Sequence, residues 1–274
     1  MKHALDWLLP FVLTPLIICT VILFVGPLVL TVMMSFDSRS FLGTMPPPEF
    51  SMQWYRAFFS SNYFLTALQT SLLVAFVSSI LATIIGTVAA LGISSLDNAF
   101  TRAAAGLFLS PLIVPHVVLG FSLLLFFSLI GVQWSLLKII LGHIIVITPF
   151  TIRTALASTV GMSPSLREAA LSLGATEWQV IWEITIPGMR TGIVAGFIIA
   201  FAVSMDDVSM TIFLTDPTAY TLPVALLSAM TTDFSLTIAA ATVMLMLLAL
   251  AIILILDRVL GIDRVLGRGL HGAA

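Results

Sequence analysis

Charge is what this sequence has least of. Of 274 residues only 9 % are charged, 11 Lys+Arg against 13 Asp+Glu, for a formal net charge of −2; a soluble domain carries roughly a quarter. So few charges cannot cover a folded soluble body, which excludes an ordinary cytosolic enzyme. No excess of positive charge offers phosphates a footprint, which excludes a DNA-binding protein and any nucleic-acid partner. Cysteine is nearly missing as well: Cys19 stands alone inside an apolar run, so neither a disulfide framework nor a cysteine metal site can be built. What is abundant is hydrophobic, 59 % of residues and a mean hydropathy of +1.16. The solvent for this chain is lipid.

A bilayer core about 30 Å thick needs roughly 20 apolar residues in a helix. Six runs of that length occur, at 7–34, 65–91, 103–130, 136–156, 188–214 and 236–256. The first is too long for the core of a secretory signal and has no small-x-small cleavage pattern, so it is read as a retained span. The expected fold is all-α and polytopic, with six transmembrane helices. With both termini cytoplasmic, the inner regions hold Lys2, Arg102, Arg153, Arg167, Arg190, Arg258, Arg264 and Arg268, and the outer ones only Arg39, Arg56 and Lys138. Positive residues gather on the cytoplasmic side, so the bias favours both ends inside.

The outer connection 35–64 contains Pro46-Pro47-Pro48 and then Phe50, Trp54, Tyr55, Phe58 and Phe59. This pattern predicts an extended piece followed by a short helix at the headgroup level. The outer connection 215–235 carries an apolar stretch, 221–230, too short to span and so interfacial or re-entrant. Inside, the long loop is 157–187. There Ser165 with Glu168 forms a capping box behind Pro164, Gly174 can end that helix in a left-handed conformation, and Thr176 with Gln179 forms a second capping box whose helix Pro187 bounds. Ala169 and Ala170 keep one face small enough for another surface to approach. An amphipathic connector lying on the membrane is the other reading of the same residues. A helix-turn-helix reader of DNA is disfavoured by the net charge of the loop, Arg167 against Glu168, Glu177 and Glu183.

Glu168-Ala169-Ala170, three residues, Gly174, nine residues, then Ile184-Thr185-Ile186-Pro187 resembles the EAA motif of permease subunits of ABC-type importers, with Ile186 where that pattern has Leu. The six-span layout is similar to the same family. The resemblance implies one transmembrane permease domain over 1–274 with the type I importer fold, and within it a coupling loop, 157–187. A helix at about 165–174 would dock in a separate ATPase subunit, with Glu168, Ala169, Ala170, Gly174, Ile184 and Pro187 as the coupling residues. The residues agree that the ATPase is a separate chain. A phosphate-binding loop needs Gly-Lys-Ser/Thr, and neither Lys2 nor Lys138 follows a glycine. The implied partners are a second permease, a heterodimer being the usual pairing, two ATP-binding subunits, a periplasmic or extracytoplasmic substrate-binding protein and the lipid bilayer of the bacterial inner membrane.

An ionisable group inside a span is costly and so marks a functional site. Asp206-Asp207 stands about two-thirds along the fifth run. Two readings of the pair stand: an acidic surface that passes a cationic substrate, or a helix-end site whose carboxylates accept backbone hydrogen bonds. Adjacent carboxylates point about 100° apart on a helix, so one faces the pathway and the other needs a partner. His116, after Pro111 and Pro115, and His143, before Pro149, are read as satisfying backbone groups that the prolines free. No cluster has metal-ligand spacing and no catalytic constellation is evident, so neither an enzyme nor a cofactor is expected. The Ser204-x-Asp206-Asp207-Val208 run with Thr221-Leu222-Pro223 is similar to second permeases of spermidine/putrescine importers, which implies a polyamine substrate. Other organic cations, 2-aminoethylphosphonate and ferric iron are alternatives within the class. A membrane assembly factor or intramembrane enzyme is the competitor from outside it.

Overall fold

The computed structural model describes residues 2–41, 43–95, 99–160, 162, 164–232 and 235–260. Arg264 and Arg268, counted above on the cytoplasmic side, lie outside the described residues, as do the side chains of Lys2 and Arg102. Every regular element described is helical. Five helical stretches are long and apolar enough to cross a membrane, Leu13–Ser35, Asn62–Ser95, Ser135–Thr159, Glu177–Asp206 and Thr237–Ile255; a bent pair, Ala103–Leu112 with His116–Leu129, makes six if it counts as one crossing.

The chain divides into two compact units. The first comprises Met1–Leu65 and Leu226–Leu248. It begins with α1 (Lys2–Ser35), whose most apolar window has no buried residue among those described, as lipid permits. The segment after it doubles back: Ser51 N–H donates to the Phe36 carbonyl and Ser38 N–H to that of Glu49. Arg39 grips both carboxylate oxygens of Asp37, at 2.6 Å from Nη2 and 3.0 Å from Nε. The expected short aromatic helix is α2 (Gln53–Ser60). Trp54 donates its indole N–H to the Asp37 carbonyl at 2.7 Å, and the Tyr55 hydroxyl meets Ser35 at 2.7 Å while its ring packs on Phe36, Ala240 and Val243.

The second unit comprises Thr66–Ala225 and Ala249–Ala274. Its core combines large side chains, Phe127, Ile139, Ile147, Met210 and Leu214 among them, with small residues where helices come close. Along α3 (Asn62–Ser95), Ala67, Ser71, Ala75, Ser78, Ala82, Gly86 and Ala90 are all buried. Along α9 (Ile186–Asp206), Gly192, Gly196, Ala200 and Ser204 are buried at strict four-residue spacing, one ridge of the helix. Both ridges meet α6 (Ser135–Thr159). A β-carbon at Gly86 would overlap the Thr151 side chain, and one at Gly192 or Gly196 would overlap Thr154. In lipid, helices gain nothing from hiding apolar surface, so close backbone approach through small residues supplies the packing. Hydroxyls add bonds across the same contacts, Thr151 Oγ1 to the Ala82 carbonyl at 2.8 Å and Ser78 Oγ to that of Ile140 at 3.2 Å.

Two spans differ from expectation. The third, expected at 103–130, is α4 (Ala99–Leu109), a 3-10 turn through Leu112 and α5 (His116–Leu129), bent by 107°. Pro111 and Pro115 bracket the bend, and each removes a backbone donor from the ladder. The fifth, expected at 188–214, starts earlier and stops earlier. One helical run extends from Glu177 to Asp206, passing through a π-helical turn, Val180–Thr185, directly before Pro187. Pro187 therefore does not end the helix. The wider turn upstream absorbs its missing N–H and the crowding of its ring, which is how π turns admit a proline. The run ends at Asp206; Asp207 is extended (φ −70°, ψ 119°) and a 3-10 turn follows at Thr211–Phe213. The short outer apolar stretch is α10 (Leu222–Thr232), whose entry is buried at Thr221, Leu222, Val224 and Ala225, with the Leu222 N–H held by Ser71 Oγ at 2.8 Å. The last crossing is α11 (Thr237–Leu260).

Candidate functional site

The loop at 157–187 is exposed and rigidly formed. Its first helix, α7 (Pro164–Ser172), begins on Pro164 itself, the position where a missing N–H is harmless, and places Ser165 inside the first turn instead of ahead of it. Glu168 and Ala169 are exposed on it and Ala170 is half-buried. Gly174 closes it at φ +91°, with Gly174 N–H donating to Leu171 and Ala175 N–H to Ala170. That pair of bonds is a Schellman motif, and its left-handed residue is one that only glycine adopts at no cost. Thr176 and Gln179 complete the expected capping box at the start of α8 (Glu177–Gln179). Across the turn, Arg167 holds both oxygens of Glu177 at 2.8 and 2.7 Å. Leu166 and Leu173 stand 57 % and 89 % exposed at the two ends of α7. Ile184 is half-buried in the π turn and Pro187 is exposed at the start of α9. The six residues of the motif thus divide between a protruding helix and the foot of the span behind it.

The acidic pair is split by the end of α9. Asp206 is the last helical residue; it is exposed and makes no hydrogen bond or ion pair among the described residues. Asp207 is turned inward and buried. Its Oδ2 accepts from the Thr211 backbone N–H at 3.0 Å and from the Thr211 hydroxyl at 2.7 Å, which ties the end of α9 to the 3-10 turn that follows. Its Oδ1 accepts from His116 Nδ1 at 3.0 Å. Behind Thr211 the chain of bonds continues to His143 Nε2 at 2.8 Å, and from His143 Nδ1 to Ser204 Oγ at 2.6 Å.

A carboxylate only accepts, and that assigns every donor in the chain. The Thr211 hydroxyl gives its proton to Asp207, so it receives one from His143 Nε2–H. His143 Nδ1 is then the acceptor for the Ser204 hydroxyl, and His116 Nδ1–H donates to Asp207 from the other side. All four donors lead to one carboxylate, which joins the break in the third span, the interior of α6 and the end of α9. His143 lies eight residues into α6, about 12 Å from its Ser135 end at 1.5 Å per residue.

Both histidines depart from their expected role. His143 bonds the side chains of Ser204 and Thr211 and no backbone group. His116 turns to Asp207, not to a backbone group. Thr211 and Ser204 are the members that sequence reasoning missed. Thr211 lies four residues from Asp207, outside the two- or three-residue reach of a helix cap, and nothing local pairs Ser204 with a histidine 61 residues away. No group of three metal-ligating side chains gathers among the described residues.

At the Ser135 end of α6, Asp216 receives the Ser135 hydroxyl and the Thr218 backbone N–H at 2.8 Å. The Ser135 hydroxyl first, then that of Thr218, holds its carboxyl down at about 2.

Residues 82–261 match the family of binding-protein-dependent transport system inner membrane components. The chain is 28 % identical over 243 residues to the spermidine/putrescine transport system permease protein PotC of Shigella flexneri, covering 89 % of this chain and 91 % of that one. It is 29 % identical over 210 residues to the putrescine transport system permease protein PotI of Escherichia coli K12, covering 74 % of each. In fold it is similar to a bacterial alginate ABC transporter solved in complex with an alginate pentasaccharide-bound periplasmic protein, with a TM-score of 0.74 and 22 % identity over 92 % of this chain and 93 % of that one. Such permeases work with another permease, ATPase subunits and a periplasmic binding protein, and the subunit itself is not an enzyme. The family model spans more than half of this chain, the five or six apolar crossings among the described residues agree with it, and the chain belongs to the family of binding-protein-dependent transport system inner membrane components, as a permease subunit of an ABC importer.

Proposed function

We propose that this permease moves a polyamine, a flexible di- or trication, and that Asp206 is the carboxylate the cargo meets on its way. One observation carries this: at the end of α9 an exposed, unpaired carboxylate stands beside a buried one that is fully engaged. A bare charge in a span is costly unless it serves the pathway, and a carboxylate is the group an alkylammonium recognises. The names of the PotC and PotI relatives support the same cargo class.

The whole chain, 1–274, acts in this reading as one permease domain. Both termini face the cytoplasm, and the Ser135 end of α6 faces outward. The pairing is with a second, non-identical permease and two ATP-binding subunits. The coupling contact is the loop 157–187, with Glu168, Ala169, Ala170 and Gly174 on or closing the docking helix and Ile184 and Pro187 linking it to α9. The exposed Leu166 and Leu173 fit such a docking face, since an apolar surface outside lipid calls for a cover.

The test is ATPase activity of the complete importer in proteoliposomes, with its binding protein loaded in turn with spermidine, putrescine, 2-aminoethylphosphonate or nothing. Stimulation by the polyamines alone is expected. Stimulation by the phosphonate and not by the polyamines overturns the cargo assignment.

A further inference from the structure

The bond between His116 and Asp207 closes the two broken spans on each other. His116 is the first residue of α5, directly after the 107° bend, and Asp207 is the first residue beyond α9. The two side chains differ in access: the imidazole is 36 % exposed and the carboxylate 4 %. Of the two carboxylate oxygens, Oδ2 is held from within by Thr211, while the hydrogen bond that Oδ1 accepts among the described residues comes from the partly exposed imidazole. An N–H donor arriving from the open side therefore has one oxygen it can claim, and the group it must displace is His116.

We infer that the cargo's ammonium group competes with His116 for Asp207, and that this exchange is what unlatches the bend from the end of α9. The inference rests on the proposal that the acidic pair lies on the cargo's path. Asp206, exposed one residue away, draws the cation in. The ammonium then takes the place of the His116 N–H on Oδ1, and the imidazole is released as a neutral group, so the cation neutralises a carboxylate that the neutral imidazole left at −1. The imidazole bond is charge-assisted on its acceptor side alone, whereas the ammonium brings a full positive charge to the same oxygen, and the added Coulomb attraction favours the cation. The exchange thus runs forward with a cation and not with a neutral molecule. A permease latched in this way stays closed until a cation arrives, which ties the opening of the bend to the chemistry of the cargo.

The experiment is polyamine uptake and ATPase activity of the complete importer in proteoliposomes, with KM and kcat measured separately, for the unmodified protein, His116→Gln and His116→Ala. Glutamine keeps a neutral N–H donor, and His116→Gln is expected to keep an ATPase that depends on cargo. His116→Ala, which has no latch, is expected to show cargo-independent ATPase activity several-fold above the unmodified level and a KM for polyamine several-fold lower, since the cargo no longer has a competitor on Oδ1. ATPase in His116→Ala that depends on cargo as fully as in the unmodified protein overturns the inference. If Asp206→Asn leaves uptake unchanged, the pathway assignment itself fails. If Asp206→Asn lowers uptake while His116→Ala keeps its full dependence on cargo, the latch fails alone.

Discussion

Gly192 on α9 lies against the backbone carbonyl of Thr154 on α6, so closely that a β-carbon at 192 would overlap that oxygen and the Ser158 side chain as well. Backbone cannot move aside as a side chain tip can. Gly192→Ala is expected to destabilise the detergent-solubilised permease by about 1–3 kcal/mol, the usual cost of overpacking. Gly92, on α3, meets nothing within 4 Å. There the same change to alanine removes only glycine's entropic penalty and should leave the melting temperature unchanged or raised. Melting curves of the two variants check the pair, and equal behaviour contradicts the small-residue account of packing.

Gly174→Val places a β-branched residue at φ +91°. A left-handed conformation costs an ordinary residue about 1–2 kcal/mol, and the cheapest relief is to unwind the last turn of α7. The expected result is a normally inserted complex whose ATPase no longer responds to loaded binding protein. ATPase assays with and without that protein decide it, and an undiminished response removes Gly174 from coupling.

Asp206 and Asp207 should separate stability from transport. Asp207→Ala deletes the acceptor for Thr211 and the partner of His116, and is expected to lower stability by about 1–3 kcal/mol through the lost hydrogen bonds to a buried charged group. Asp206→Asn removes an exposed carboxylate without a partner and should leave the melting temperature where it is. The reverse order of the two melting temperatures contradicts the division of roles.

Asp216 gives an acid signature. Its carboxyl is held down at about 2 by the Ser135 and Thr218 hydroxyls, so the fold favours its ionised form. That contribution is fully present above the ordinary carboxylate value of about 4 and is lost as the pH falls to about 2. Asp216→Asn should therefore melt below the unmodified protein by a constant margin at neutral pH, with the margin closing between pH 4 and pH 2. A margin that persists to pH 2 contradicts the assignment.

How far the sequence reached depends on whether the deciding contact was local. The helix α7 and the turn after it were legible because the stop, Gly174, and the next cap, Thr176 with Gln179, act within a few residues. Pro187 misled because a proline ends a helix only when the turn before it keeps four-residue spacing, and here that turn is a π turn. The fifth span was displaced for a related reason. Apolar residues continue to Leu214, but Asp207 is held by a histidine on another span, and that bond decides where the helix ends. His116 and His143 were visible as polar residues near prolines. Their true partners lie 91 and 61 residues away, which no periodicity reveals.

The central claim is that a cation passes Asp206 on its way through this permease. ATP-dependent uptake of labelled spermidine into proteoliposomes that contain the complete importer, with Asp206→Asn compared against the unmodified chain, tests it most directly. The account predicts uptake at least tenfold lower, the loss of about 1.4 kcal/mol of interaction with the cation, from a complex that assembles and melts as before. Uptake equal to that of the unmodified chain would contradict it.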